Sequence, residues 1–149
     1  MKLTITKEFS WDCSHKLFNP CLSKKGNEDE YGLCSNIHGH NYKMLVTVSR
    51  ETNDLENGMI MNFKDLKKIV KEQIVDEQDH SLNLTEGDEV IEKLSGLGLK
   101  INVYKYETTC ENQLKAFWYR LDTILRLHGI ILEEIKLYET PTSFATLKR

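Results

Sequence analysis

Two imidazoles separated by one glycine, His38-Gly39-His40, are the sharpest chemical signal in the 149-residue chain. In an extended segment residues i and i+2 point to one face, so the two rings would share it. The glycine leaves the opposite face bare at that point. A third histidine, His15, ends a segment in which Trp11 and Cys13 hold the same parity. If residues 2–15 and 38–50 pair as an antiparallel hairpin, the end of the first meets the start of the second. His15 then lies opposite His38 and His40 on one face. Three neutral imidazoles are the ligand set of a catalytic zinc, which keeps a fourth position for water or substrate. A lone His-x-His is common in loops. Three of the five histidines at one hairpin end weigh for a metal.

Other groups could work beside such a site. Cys34 lies four residues before His38. As a ligand it would make a Cys/His structural site. As a thiol of lowered pKa near a cation it would serve as base or nucleophile. Cys13 and Cys110 read more simply as buried, inert thiols. Asp79-His80 follows a helix end, where a loop could turn the carboxylate onto the ring. Glu139 ends a strand; if buried, it could grip a guanidine-like edge through two parallel N–H bonds. His128, in the last helical turn before Gly129, is accounted for by the helix dipole.

Alternation over residues 2–15 and again over 38–50, with Met44, Val46 and Val48 on one parity, reads as two strands. Residues 19–33 are polar and read as a long surface loop. Asn53-Asp54 and Asn57-Gly58 punctuate a turn region. Asn62 is a good N-cap, and Phe63, Leu66, Ile69, Val70 and Ile74 recur at helical spacing, so 63–77 is an amphipathic helix. A polar break covers 78–83, a short helix is expected within 86–96, and Ile101 to Tyr106 reads as a short strand. Thr108 to Glu111 has the form of a capping box. Leu114, Phe117, Trp118, Leu121, Ile124 and Leu125 continue it as a long helix that Gly129 ends. Ile130–Tyr138 and Phe144–Lys148 close the pattern as strands. The expected order is ββααββ: an α+β fold with a mostly antiparallel sheet and two helices packed on one face.

Twenty basic and 23 acidic residues give a net charge of -3, so no global basic excess points to nucleic acid. No apolar stretch is long enough to span a membrane. The N-terminal residues lack the apolar stretch of a signal peptide, so a cytoplasmic protein is expected, with its four cysteines free. The length suits one domain, residues 1–149.

Six motifs in order resemble the 6-pyruvoyltetrahydropterin synthase / 6-carboxytetrahydropterin synthase (QueD) family. They are Trp11-Asp12-Cys13-Ser14-His15, then Cys34 through Tyr42 around His38-Gly39-His40, then Gly58-Met59-Ile60-Met61-Asn62-Phe63. Asp79-His80-Ser81-Leu82-Asn83, Thr109-Cys110-Glu111-Asn112 and Glu139-Thr140-Pro141-Thr142-Ser143 complete the set. The resemblance covers nearly the whole chain. It implies a tunnelling fold (T-fold), a homo-oligomer built as a hexamer of two trimers, and active sites between subunits. It implies zinc (Zn2+) on His15, His38 and His40, with the pterin triphosphate 7,8-dihydroneopterin triphosphate as substrate. Cys34 would be the general base, Asp79 and His80 with Glu139 a relay, and Glu139 with Thr109 and Glu111 the pterin grip.

The chain departs from the family pattern in three places. Asn62 stands for the usual Asp, Thr108 stands where many bacterial members carry Pro, and residues 16–33 are longer than in compact QueD members. The Cys-x3-His-Gly-His spacing and the Glu-Thr-x-Thr-Ser ending resemble the carboxy branch. The expected activity is therefore 6-carboxytetrahydropterin synthase, a lyase releasing acetaldehyde on the route to preQ0 and queuosine. The same-fold alternative stops at the pyruvoyl product. An alternative of another class is a non-catalytic zinc module with Cys34 as fourth ligand.

Overall fold

The computed structural model describes residues 1–51 and 55–149. The first alternating run becomes strand β1, Ile5–His15, whose odd positions from Phe9 onward are buried. The polar stretch after it is not all loop. It holds helix α1, Lys24–Tyr31, and a 3-10 turn, Gly32–Ser35. No apolar stripe announces α1, because its one buried residue is Asn27. That side chain donates to the carbonyls of Asn19, Leu22 and Ser23, and Ser23 Oγ accepts from Gly26 N at 3.0 Å. The helix thus stands on side-chain bonds to its own entry loop.

Strand β2, His38–Arg50, pairs antiparallel with β1. Trp11 faces Tyr42, Cys13 faces His40 and His15 faces His38. Of the expected turn, Asn57 and Gly58 take positive φ in a 3-10 turn, while Asn53-Asp54 lies outside the described residues. Asn62 caps α2, Phe63–Val70, accepting from Lys64 N at 2.8 Å. The helix runs through a π-helical turn, Lys71–Val75, into α3, Asp76–Gln78.

The polar break is shorter than expected. Strand β3, Leu82–Thr85, begins inside it and lies parallel to β1. Helix α4, Glu89–Leu94, is capped by Asp88. Strand β4, Ile101–Tyr104, then pairs parallel with β3. Helix α5, Cys110–Leu127, is followed by β5, Ile130–Thr140, and β6, Ser143–Lys148. The sheet order is β4-β3-β1-β2-β5-β6. The expected ββααββ survives as the frame β1, β2, α2, α5, β5, β6. Two insertions, α1 and β3-α4-β4, complete it and make the sheet mixed.

Both long helices bury their apolar stripes on the same face of the sheet. Leu66, Ile69, Val70 and Ile74 from α2 and its continuation meet Leu114, Phe117, Leu121 and Leu125 from α5 over Trp11, Tyr42, Met44 and Ile135. Trp11 stacks on Tyr42 at 5.9 Å and takes Phe117 edge-on at 6.0 Å. The long-helix start is one residue later than expected. Thr109, not Thr108, is the N-cap, and its side chain accepts from Asn112 N at 3.3 Å. The third helical position is then Asn112, so Glu111 cannot close a capping box and sits in the first turn facing the dipole. No described helix is long and apolar enough to cross a membrane.

Candidate metal centre and active site

The register of β1 and β2 extends the core face of the hairpin to its end. Trp11 and Tyr42 are followed by Cys13 and His40, and then by His15 and His38. The side chains change from apolar to imidazole while the parity is kept. One nitrogen from each of His15, His38 and His40 lies within 4.8 Å of the others.

The backbone fixes two of the rings. His15 Nδ1 contacts the Thr108 carbonyl at 2.7 Å, and His38 Nδ1 contacts the Asn36 carbonyl at 2.8 Å. A carbonyl only accepts, so each Nδ1 carries the proton and each Nε2 presents its lone pair. These two Nε2 atoms are 3.0 Å apart. Burial pushes the His15 pKa down to about 4, so this ring is neutral at physiological pH. Two facing lone pairs repel unless a cation lies between them. His40 Nε2 is buried with no hydrogen-bond partner among the described residues and stands 3.5 Å from Glu139 Oε1. Burial also lowers the His40 pKa, against the opposing pull of Glu139. An orphaned imidazole nitrogen beside two oriented lone pairs fits a divalent metal that prefers nitrogen ligands.

Cys34 is outside this group. It is exposed on the 3-10 turn, and its carbonyl accepts from Leu17 N at 2.9 Å, which closes the insertion at its base. Gly32, with φ 55° and ψ -129°, makes the bend between α1 and that turn, a conformation other residues avoid. Cys13 is buried with its thiol pushed up to about 12, and burial raises Cys110 to about 11, as expected of inert thiols.

Asp79 and His80 do meet. Asp79 Oδ1 is 2.9 Å from His80 Nδ1, and His80 takes a left-handed φ of 61°. His80 N donates to the Asp12 carbonyl at 2.7 Å, and Ser14 N donates to the Ser81 carbonyl at 2.8 Å, so the turn is sewn to the edge of β1. His80 helps to line a cleft of about 410 Å³ with Asp12, Cys13, Ser14, Gly39, His40 and Asn41. Asp12, Ser14, Gly39 and Asn41 have the opposite parity to His15 and His38, whereas Cys13 and His40 share theirs. His80 and His40 therefore border one cleft.

Thr109 and Glu111 lie at the start of α5, beside the end of β5 that carries Glu139. Cys110 Sγ donates to the Leu137 carbonyl at 3.4 Å and fastens the two. The carboxylates of Glu139 and Glu111 both act on that thiol. The carbonyls of Thr108 and Asn36 were not legible in the sequence, because backbone oxygens leave no residue-type signal. Thr108 is fully buried, and its carbonyl also accepts from Gln113 Nε2 at 2.9 Å.

A 6-pyruvoyl tetrahydropterin synthase family model matches residues 4–149. The 6-pyruvoyl tetrahydrobiopterin synthase of Pongo abelii is 33% identical over 147 residues, spanning 97% of this chain and 90% of that protein. The 6-carboxy-5,6,7,8-tetrahydropterin synthase of Haemophilus influenzae is 33% identical over 146 residues, spanning 94% of each. Among solved structures, the 6-pyruvoyl tetrahydropterin synthase of Caenorhabditis elegans superposes with a TM-score of 0.73 at 24% identity, covering 99% of this chain and 95% of that one. An uncharacterized protein from Wolinella succinogenes gives a TM-score of 0.79 at 20% identity, with 100% and 99% covered. The fold is the α+β T-fold of these neighbours. By its full-length family match and these relatives, the chain belongs to the 6-pyruvoyl tetrahydropterin synthase family.

Proposed function

We propose that this chain is a zinc-dependent 6-carboxy-5,6,7,8-tetrahydropterin synthase. It would convert 7,8-dihydroneopterin triphosphate to 6-carboxytetrahydropterin, acetaldehyde and triphosphate, in the cytoplasm, on the route to preQ0 and queuosine. The observation that carries the reading is the three-histidine group, with two Nε2 lone pairs set by backbone carbonyls and a third left unpaired. Zinc held by His15, His38 and His40 would supply Lewis acidity toward the side-chain hydroxyls of the substrate. Cys34 takes a proton as general base, and Asp79-His80 carries protons onward. Glu139, with Thr109 and Glu111, holds the pterin ring. The Cys34-to-His38 spacing and the Glu139–Ser143 ending support the carboxy branch.

Residues 1–149 act as one T-fold unit, assembled as a hexamer of two trimers. The exposure of the Asp79-His80 pair in the single chain supports a site completed between subunits. Incubation of the zinc-loaded protein with 7,8-dihydroneopterin triphosphate tests the reading. Stoichiometric acetaldehyde and triphosphate with 6-carboxytetrahydropterin are expected. Triphosphate without acetaldehyde would select the pyruvoyl reaction, which the equally similar Pongo abelii relative favours. An untouched substrate would defeat both.

A further inference from the structure

Lys100 belongs to the inserted β3-α4-β4 segment, to which none of the roles above is assigned. It directly precedes β4, and its main-chain carbonyl accepts from Leu82 N at 2.9 Å, just past the Asp79-His80 turn. Its ammonium reaches back across that turn and donates to two main-chain carbonyls, Asp76 O at 2.7 Å and Asp79 O at 2.6 Å. We propose that Lys100 is a positioning residue for Asp79-His80: by bridging these two carbonyls it ends the helix there and fixes the left-handed turn that presents His80. The proposal rests on the reading of that pair as a proton relay.

The argument starts from what a helix end lacks. Its last carbonyls have no amide partner, and a cation beside them is favoured by the dipole. Continued helix would return His80 N to Asp76 O, four residues back. In the structure that amide donates to Asp12 O instead. Asp79 turns to extended backbone, φ -63° and ψ 127°, and His80 goes to positive φ. Both steps leave Asp76 O in need of a donor, and Lys100 Nζ is that donor. Its second bond holds the carbonyl of the Asp79–His80 peptide itself. The turn is thus held from β1 through the amide of His80 and from Lys100, just before β4, through the oxygen of Asp79.

The charge of Lys100 has a second effect. Burial works against ionisation of Asp79, but the Asp12 N–H, His80 and the Lys100 ammonium outweigh it and hold this carboxyl below its usual pKa. An ionised Asp79 accepts from His80 Nδ1–H and leaves His80 Nε2 to carry the exchanged proton.

The test uses the full-length zinc-loaded protein with Lys100→Met, Lys100→Gln and Lys100→Arg, each alone and combined with His80→Ala. Lys100→Met and Lys100→Gln should lower kcat about tenfold, leave KM and metal content unchanged, and be largely rescued by Lys100→Arg. In the His80→Ala background they should cost nothing further. Equal losses with and without His80 overturn the proposal, since a structural role would persist. A second measurement needs no substrate: imidazole nitrogen NMR of His80. The Nδ1-protonated form should dominate in the wild type and be lost in Lys100→Met and Lys100→Gln. An unchanged spectrum overturns the proposal. A protein inactive toward 7,8-dihydroneopterin triphosphate but with the expected spectra would instead remove the functional reading.

Discussion

Glu139→Gln keeps the shape of the side chain and removes its charge. Glu139 ends β5 with its side chain 27% exposed and Oε1 3.5 Å from His40 Nε2. A pterin offers two parallel N–H groups on its guanidine-like edge, which a carboxylate accepts with both oxygens. The glutamine keeps one acceptor and turns an NH2 toward a donor, so one charge-assisted bond is lost. Such bonds contribute about 1.5–3 kcal/mol. Partial solvent access puts this one near the lower end, about 1.4 kcal/mol, which is a factor of ten. The assay is fluorescence titration with 7,8-dihydroneopterin, which has the ring and lacks the triphosphate, together with kcat/KM on the triphosphate. Both should weaken at least tenfold. Metal content is measured on the same preparation, because the carboxylate also borders His40. Wild-type affinity and turnover at full metal loading would refute the ring-gripping role.

His38→Ala and His40→Ala should each fold and emerge without stoichiometric zinc by elemental analysis; wild-type occupancy would sink the ligand assignment. Cys34→Ala should keep its zinc and lose turnover by about 10²–10⁴-fold, the usual scale for a lost general base; loss of zinc would restore the structural-module alternative. Phe117→Ala, in the helix–sheet core, should cost about 3–5 kcal/mol in a urea titration, and a loss under 1 kcal/mol would contradict the packing. Burial opposes ionisation of Glu77, but hydrogen bonds from Tyr104 and Arg120 outweigh it and depress its pKa in the folded state. A depressed pKa stabilises above the unfolded value of about 4.3 and is lost as pH falls through the folded value. Glu77→Gln should therefore be less stable than wild type at pH 7, and the gap should close below about pH 4; a constant gap would exclude the charge.

The hairpin and its histidines were readable because parity is a backbone property. Strand periodicity and the His-x-His spacing together place His15 against His38 without tertiary information. Helices α2 and α5 were readable for the same reason at a period of 3.6. Helix α1 was not, since it is held by Ser23 and Asn27 and carries no apolar stripe. Strand β3 was hidden because its four residues are too few for a pattern, and its Asn83 is buried by bonds to Gln78 and Ser81 instead of by hydrophobicity. Within the candidate site, residue types announced the three histidines but not the orientation of their rings. The oxygens that set the tautomers belong to Thr108 and Asn36 main chain. The contact between Asp79 and His80 came from a left-handed turn that sequence spacing does not encode.

The bond from His15 Nδ1 to Thr108 O spans 93 residues. While the chain is being synthesised, β1 and β2 can pair long before the start of α5 has emerged. During that interval His15 has neither its fixed tautomer nor its burial, and the hairpin offers the metal only a loose chelate. The site acquires its final geometry when α5 docks. On the proposed zinc reading, metal capture would therefore be a late event in the biogenesis of the protein, and zinc added to a renaturing chain should bind tightly on the timescale of helix docking and not of hairpin closure.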